Sequence, residues 1–145
     1  PSVYPQTDYP GDPGTTDYPK GQSATVGSHT ETVTNVVYPY TPTQTSNNKP
    51  KSAGGRFILM TVKITNTSDH EIDYNPFFYK LEDSQNGQSD HVSITGIDRP
   101  LSSGTLAVGK EVVGSMAFEV VGGAEPTALL ADQGHKYPPT RFKLP

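Results

Sequence analysis

The sequence contains no cysteine and no tryptophan, and it has only two methionines. The lack of cysteine excludes disulfide frameworks, thiolate catalysis and thiolate metal sites, although it leaves the cellular compartment open. No apolar run approaches the roughly 18 residues that a membrane-spanning helix needs. Hydrophobic residues make up only 32% of the 145 positions. This fraction is low for a chain that is globular throughout, so we expect an ordinary domain joined to a disordered segment.

Clusters of positive charge are also missing. The net charge is −4, and the eleven lysines and arginines are scattered. The chain therefore lacks the electrostatic signature of a protein that binds nucleic acid or an anionic membrane surface. Because the chain begins at Pro1 and its first methionine is Met60, we expect a processed product whose targeting signal lies upstream.

Large aliphatic residues are scarce at the start of the chain, since the first 56 residues contain no Leu, Ile, Phe or Met. Residues 1–28 are rich in proline, glycine and tyrosine, and Tyr-Pro occurs in them three times. Proline favours extended backbone and removes a hydrogen-bond donor, and this composition buries too little surface to offset the entropy of ordering. We predict a disordered or extended linker or tail here. The alternative is a recognition segment in which Tyr9 and Tyr18 contact a partner protein or a wall polymer.

The segment FILMTVKIT (57–65) carries the clearest structural signal. Every second position on one face is a large apolar residue, namely Ile58, Met60, Val62 and Ile64. This alternation is the pattern of a half-buried strand in an antiparallel sheet. The four residues Asn-Thr-Ser-Asp that follow favour a turn.

Further short strands are predicted over most of residues 29–145, which we take as one domain. They are the segments 30–38, 76–83, 91–97, 112–120, 126–132 and 140–144. Turns are predicted at Asn86-Gly87 and Gly109-Lys110, and Gly114 marks a bulge or a close approach of two chain segments. The inward face of segment 30–38 is ambiguous between Val33 and the pair Val36/Val37. About seven short strands without a helical period predict an all-β fold, an antiparallel two-sheet β-sandwich. Its predicted core is Ile58, Met60, Val62, Ile64, Tyr79, Leu81, Met116 and Phe118.

Two surface features are candidate binding sites. The segment YNPFFY (74–79) clusters four aromatic residues, and alternation places Phe77 and Tyr79 in the core, which leaves Tyr74 and Phe78 as candidates for an exposed partner-binding patch. Asp69, Glu71 and Asp73 alternate along the chain, and three carboxylates on one side of a strand are a candidate Ca²⁺ site, or otherwise a solvated acidic edge.

The sequence contains no recognisable active-site motif. Ser115 lacks the flanking pattern of a nucleophile elbow, and the Gly pair at 54–55 is not followed by a helix that would make it a phosphate loop. The four histidines have no metal-ligand spacing and read as solvated loop and edge residues. We therefore expect no enzyme activity, no catalytic residues and no obligatory cofactor.

The chain resembles a known family. The segment GGRFILMTVKITNTSDHEIDYNPFFYKLEDSQNGQ (54–88) followed by LAVGKEVVGSMAFEV (106–120) is similar to the DUF4352 domain of bacterial extracytoplasmic proteins and lipoproteins. That family is related in fold to the small secreted immunoglobulin-like proteins of mycobacteria (the MPT63-like group). Val108 departs from the pattern, which usually has proline there. The resemblance implies an immunoglobulin-like sandwich and a location outside the cytoplasm, secreted or anchored by lipidation upstream of a spacer.

Two functions are compatible with these observations. The first is a non-enzymatic binding module of the bacterial cell envelope, whose partner is another envelope protein or a cell-wall polymer and not nucleic acid. The alternative is a secreted sandwich that binds a small ligand or Ca²⁺. The family resemblance supplies no catalytic residues.

Overall fold

The structure, a computed structural model, describes residues 17–18, 21–44, 48–132 and 139–144. Extended backbone dominates this part of the chain, as its many threonine and valine residues favour. The strands are β1 (Asp17–Tyr18), β2 (Ser23–Val26), β3 (His29–Tyr40), β4 (Arg56–Thr65), β5 (Ile72–Tyr74), β6 (Tyr79–Asp83), β7 (Gln88–Ser89), β8 (Gly104–Leu106), β9 (Glu111–Val120), β10 (Pro126–Ala131) and β11 (Thr140–Lys143). A 3-10 turn, Pro76–Phe78, lies between β5 and β6. No helix among the described residues is long and apolar enough to cross a membrane.

The strands form two main sheets. One has the order β2-β3-β4-β9, and the other has the order β1-β11-β10-β6-β7. Strands β5 and β8 pair in a separate two-stranded ribbon. The β1–β11 pair is parallel and the other strand pairs are antiparallel. The predicted immunoglobulin-like antiparallel two-sheet sandwich is confirmed.

The predicted core is confirmed as well, because all eight of its residues are at most 2% exposed. Strand β4 pairs with β9 over ten residues, and this register places Met60 opposite Met116 and Ile58 opposite Phe118. The other sheet contributes Tyr79, Leu81 and residues from β10 and β11. Each large apolar side chain removed from water contributes roughly 1.5–3 kcal/mol, so this cluster is the main source of folding free energy.

A bulge in β3 explains why its inward face is ambiguous in the sequence. Val33 pairs with Val62, and Val36 pairs with Met60. Val33 and Val36 are three residues apart in β3, whereas their partners in β4 are only two residues apart. The register shift between Val33 and Asn35 absorbs the extra residue. As a result Val33 is buried and Val36 packs against the core, whereas Val37 is 38% exposed.

The prediction that Phe77 lies in the core is wrong. Asn75 caps the 3-10 turn, because its Oδ1 accepts a hydrogen bond from Phe77 N at 2.9 Å and Pro76 occupies the first turn. Alternation therefore begins only at Tyr79, and Phe77 is 63% exposed. An Asn-Pro pair is a start signal for a helical turn, and this signal outweighs the apparent alternation.

The predicted strand at 91–97 is also wrong. In this segment Val92 makes an isolated bridge to Ala117, and further along the chain Pro100 makes another to Ser115. These bridges cover part of the outer edge of β9, which would otherwise present unpaired backbone groups. Gly96, with φ of +88°, turns the chain between them.

The predicted boundary between tail and domain lies too late in the chain. Residues 23–26 form β2, which pairs with the start of β3, and Ala24 and Val26 are each 3% exposed. The backbone of β1, which includes Tyr18, pairs with β11. The sandwich therefore begins before residue 29, while Tyr9 and the rest of residues 1–16 lie outside the described part of the chain.

Two predicted special positions have clear structural roles. Gly114 pairs in register with Val62, and a Cβ built on it would lie 2.8 Å from Leu101 Cα, so this glycine permits a close approach of two chain segments. Asn66, which ends β4, is 1% exposed. Its Nδ2 donates to the carbonyls of His70 and Leu106, at 2.8 Å each, so it ties the turn after β4 to β8.

Candidate functional site

Three of the residues singled out in the sequence lie together at one end of the sandwich. Asp73, Tyr74 and Phe78 line a small depression, which we call the terminal depression. Its remaining walls come from the starts of β3 and β6 and from the ends of β2 and β10. These wall residues are Val26, His29, Glu31, Tyr79, Ala131 and Asp132.

A buried polar network forms the floor of the terminal depression. Glu31, only 5% exposed, accepts a hydrogen bond from Tyr79 Oη at 2.6 Å, and its other carboxylate oxygen lies 2.5 Å from His29 Nε2. Burial, together with the negative charge of Glu31, raises the pKa of Tyr79 well above its usual range. Tyr79 therefore keeps its proton and acts as a donor to the carboxylate.

The network leaves one buried atom without a partner. His29 is 3% exposed, and its Nδ1 has no hydrogen-bond partner in the described part of the chain. Buried polar atoms are almost always satisfied, so this ring nitrogen is an exception, and it has almost no accessible surface. The sequence interpretation of His29 as a solvated histidine is wrong, and His29 and Glu31 were not among the predicted site residues. Their alternate spacing places both on the same face of β3, which is the sequence signal that relates them.

The aromatic side chains at the rim differ from the prediction. Tyr74 and Phe78 are partly buried and pack against the core, so they do not form a freely exposed patch. For Phe77 and Phe78 the cause is the 3-10 turn, which reverses their expected order of exposure, whereas Tyr74 lies before the turn, in β5. Phe77 is the exposed aromatic residue of the segment.

The three acidic residues predicted as a Ca²⁺ site are not brought together. Asp69 is fully exposed and lies 3.0 Å from His70 Nδ1, whose hydrogen bond lowers the pKa of Asp69. Glu71 is exposed in the loop before β5, and Asp73 belongs to the terminal depression. Among the residues that the structure describes, no three His, Cys, Asp or Glu side chains form a group that would hold a metal ion.

A second candidate site runs along the loops beside the edge of β9. Three adjoining depressions with volumes of about 290, 310 and 230 Å³ share lining residues, and we call them together the loop groove. One end is lined by Pro39, Tyr40, Pro42 and Phe57, and the middle by Lys49 and Lys51. The residues 91–95 line the part that lies over β9. The groove thus combines apolar walls with positive charge, within a chain whose net charge is negative.

Two buried or half-buried polar residues hold the walls of the loop groove. Asn48, 7% exposed, donates to the carbonyl of Gln44 at 2.5 Å and to Thr95 Oγ1 at 2.8 Å, so it joins two loops. Glu119 accepts hydrogen bonds from the backbone of Lys51 and from Ser52 N and Oγ, at 2.7–2.8 Å. Burial opposes ionisation of Glu119, but these hydrogen bonds outweigh it and hold its pKa below the usual range. The groove is therefore built from anchored loops.

An aromatic pair lies at the side of the loop groove. The rings of Phe77 and His91 meet edge to face, with centroids 4.6 Å apart. Burial lowers the pKa of His91, and its Nδ1 is buried without a partner among the described residues. Because Phe77 is exposed and His91 lines the groove, this pair extends the groove surface with an apolar face available to a partner.

The family model of a domain of unknown function, DUF4352, matches residues 18–138. The chain belongs to the DUF4352 family. The match covers most of the described sandwich and begins at β1, before the domain start that the sequence predicted. No curated protein matches the sequence.

Solved structures share the fold. The yjhA protein from Bacillus subtilis superposes with a TM-score of 0.67 at 20% identity, over 88% of this chain and 99% of that one. A candidate lipoprotein (ycdA) from Bacillus subtilis gives a TM-score of 0.65 at 13% identity, over 82% of this chain but only 36% of that one. The present chain therefore spans about a third of the length of that lipoprotein. MPT63, a secreted protein from Mycobacterium tuberculosis, gives 0.57 at 15% identity, over 83% of this chain and 92% of that one. At these identities the likeness concerns the fold alone.

Proposed function

We propose that this DUF4352 domain is a non-enzymatic binding module that works outside the cytoplasm and holds an extended segment of another envelope protein in the loop groove. The observation that carries the proposal is the groove itself. Its three adjoining depressions form one elongated surface, and Asn48 and Glu119 anchor its walls. An elongated groove of mixed polarity fits an extended chain better than it fits a compact small molecule.

The lining of the loop groove favours a polypeptide as the occupant. Pro39, Pro42 and Phe57 offer apolar contacts for side chains of the bound segment. Lys49 is exposed, and among the described residues it has no ion-pair partner, so its ammonium group is available to an acidic side chain of that segment. A cell-wall polymer is the other occupant that the test must distinguish.

The location is supported by the proteins that share the fold. Two of them are described as a secreted protein and as a candidate lipoprotein. We propose the same side of the membrane for this chain, secreted or anchored by lipidation. Cell fractionation tests this part separately, and native protein found only in the cytosol would contradict it.

The binding proposal is tested by capture from cell-envelope extract, with the whole 145-residue chain as bait and mass spectrometry as readout. The double variant Phe77→Ala/Lys49→Glu changes two exposed side chains of the groove region, so the fold is expected to stay intact. The matched control is Val108→Ala, because Val108 is 52% exposed and does not line the groove. We expect the double variant to lose a partner that the control and the wild type retain.

Two results would contradict the proposal. Equal capture by the wild type and the double variant would show that recognition lies elsewhere on the chain. Capture that survives protease treatment of the extract but not digestion of its polysaccharide would identify a wall polymer as the occupant.

A further inference from the structure

The middle of the loop groove has more positive than negative charge. Lys49 and Lys51 line it, and both are exposed. Neither side chain forms an ion pair with another described residue. The acidic residue that lines the same part is Glu119, and its carboxylate already accepts hydrogen bonds from the backbone of Lys51 and from Ser52. The groove therefore favours an occupant with negative charges.

The wall at one end of the loop groove suits a proline-rich chain. Pro39 is exposed there, and Tyr40 and Pro50 are half-buried. Grooves lined by aromatic residues bind segments in the polyproline II conformation. The depressions of about 290 and 310 Å³ lie near the lower limit of small-molecule pockets, about 300–1,000 Å³. Each depression therefore suits one or two side chains of a longer ligand.

Residues 1–16 of this chain have the composition that such a groove favours. We call them the Tyr-Pro segment, and they lie outside the described part of the chain. The segment contains Asp8 and Asp12 but no lysine or arginine. Its four prolines favour the polyproline II conformation, so little backbone entropy is lost on binding. Tyr4 and Tyr9, each followed by proline, supply aromatic rings for the apolar wall.

The Tyr-Pro segment joins the sandwich on the side opposite the loop groove. It is connected to Asp17, which pairs with Arg141 in β11. The residue before Arg141, Thr140, donates a hydrogen bond from Oγ1 to the carbonyl of Thr25 at 3.0 Å. Thr25 belongs to β2, and β2 and β9 are the opposite edges of their sheet. The segment therefore begins at the β2 edge, whereas the groove lies beside β9.

The distance from Asp17 to the two lysines exceeds what the aspartates of the same copy can span. Strand pairing places Thr25 level with Glu111, whereas Lys51 N bonds to Glu119, eight residues further along β9. Eight residues and three strand spacings correspond to about 26 Å along the sheet and about 14 Å across it. Asp12 and Asp8 lie five and nine residues before Asp17, so they reach at most roughly 18 and 32 Å. The direct line, about 30 Å, runs through the sandwich, so the two aspartates together reach the lysines only in another copy.

We propose that the loop groove binds the Tyr-Pro segment of a second copy of this chain, with Asp8 and Asp12 beside Lys49 and Lys51. This inference rests on the proposed function, because it names an occupant for the same groove. Each copy offers one groove and one segment, so the contact is head to tail and joins neighbouring copies into chains or rings.

Sedimentation velocity of the whole chain, from micromolar to millimolar concentration, tests the contact by exchange of charges. We expect the wild type to self-associate, and we expect Lys49→Glu/Lys51→Glu and Asp8→Lys/Asp12→Lys each to abolish this association. A mixture of the two double variants should associate again, because each segment then meets a groove of opposite charge. A role of these residues in folding alone would not produce this rescue.

Lys110→Glu/Lys143→Glu is the matched control. It makes the same change in net charge at two exposed residues that do not line the groove. We expect this variant to self-associate like the wild type.

A synthetic peptide of residues 1–16 locates the binding surface by nuclear magnetic resonance. The receptor is the whole ¹⁵N-labelled chain with Asp8→Lys/Asp12→Lys, whose own segments do not compete. We expect saturable shifts of the Lys49 and Lys51 amides. A peptide with Asp8→Asn/Asp12→Asn should bind about twofold to 25-fold more weakly, the range for two exposed ion pairs.

Four results would overturn the inference. They are a wild type that stays monomeric at every concentration, a mixture of variants that does not associate, a control that loses association as the lysine variant does, and equal binding of the two peptides. Loss of an envelope partner by Phe77→Ala/Lys49→Glu together with any of these results would leave the proposed function standing and remove this inference alone. Self-association through the groove without such a partner would support the inference and contradict the wider proposal.

Discussion

Replacing Tyr79 by phenylalanine removes the hydroxyl that donates to Glu31 at 2.6 Å and leaves the aromatic ring in place. Tyr79 is 2% exposed and Glu31 is 5% exposed, so water does not readily replace the lost donor. A hydrogen bond to a charged group contributes about 1.5–3 kcal/mol, and the burial of this carboxylate places the expected loss near the upper end, about 2–3 kcal/mol. For a domain of this size we expect the melting temperature to fall by roughly 6–15 °C.

Tyr38→Phe is the matched control, because it deletes the same atom from a residue of the sheet that holds Glu31. Tyr38 Oη is buried but has no hydrogen-bond partner among the described residues, and the ring keeps its contact with the Arg56 guanidinium, 5.2 Å from the centroid. Removal of an unsatisfied hydroxyl is expected to change the free energy of unfolding by less than about 0.5 kcal/mol, or to stabilise the fold slightly.

Urea denaturation at pH 7 measures both variants, provided that the slope m stays equal to that of the wild type. The expected result is a clear fall in midpoint for Tyr79→Phe and almost none for Tyr38→Phe. Equal losses for the two variants would refute the reasoning, since the hydroxyl-to-carboxylate bond would then not be the source of the stability. A neutral Tyr79→Phe would show that Glu31 is satisfied in another way.

Three single positions and the acidic segment 69–73 give further predictions. Asn66→Asp is expected to lower the free energy of unfolding by at least about 2 kcal/mol, measured in urea, because a buried carboxylate would face two carbonyls that now accept from Nδ2. Gly114→Ala is expected to lower the free energy of unfolding by about 1–3 kcal/mol, because Leu101 Cα and Cβ both lie 2.8 Å from the added carbon. Leu101→Ala keeps both of these atoms, so it should not restore the stability of Gly114→Ala. Restored stability in the double variant would disprove the steric argument. Because the pKa of Glu119 is lowered in the folded state, its ionised carboxylate stabilises the fold above pH 4.5, and this stabilisation is lost as the pH falls through the folded-state pKa. Glu119→Gln should therefore reduce the loss of stability at acid pH. An unchanged loss at acid pH would contradict this. Because the carboxylates in residues 69–73 do not converge, the melting temperature should be equal in millimolar Ca²⁺ and in EDTA, and a rise with Ca²⁺ would show binding by linkage.

The strands that the sequence predicted well are those whose alternation is long and uninterrupted. Segment 57–65 needed no tertiary information, because four apolar residues at every second position fit a half-buried strand and no helix face. Segment 91–97 also alternates, but it is short and interrupted by Gly96. Its backbone is used as a cover for the β9 edge, and local pattern does not reveal whether a neighbouring strand is available.

The candidate site was predicted only in part. The sequence singled out Asp73, Tyr74 and Phe78, and the structure places these three at one depression. It did not single out His29 and Glu31, because the acceptor role of Glu31 depends on Tyr79, which lies 48 residues further along the chain. The loop groove was not predicted at all, since its walls are held by the contact of Asn48 with Thr95 across 47 positions.

Local sequence patterns were sufficient to predict the all-β class, the core of β4, β6 and β9, and the turns at Asn66, Asn86 and Gly109. These features depend on local properties, namely the two-residue period of a strand and the backbone preferences of asparagine and glycine. Contacts between distant segments determine the bulge that turns both Val33 and Val36 inward, the reversal of exposure at Phe77, and the pairing of β1 with β11, the first and last of the described strands. Each of these features depends on contacts between residues that are far apart in the sequence. Hydrogen bonding and burial stabilise those contacts, and a local sequence pattern does not show them.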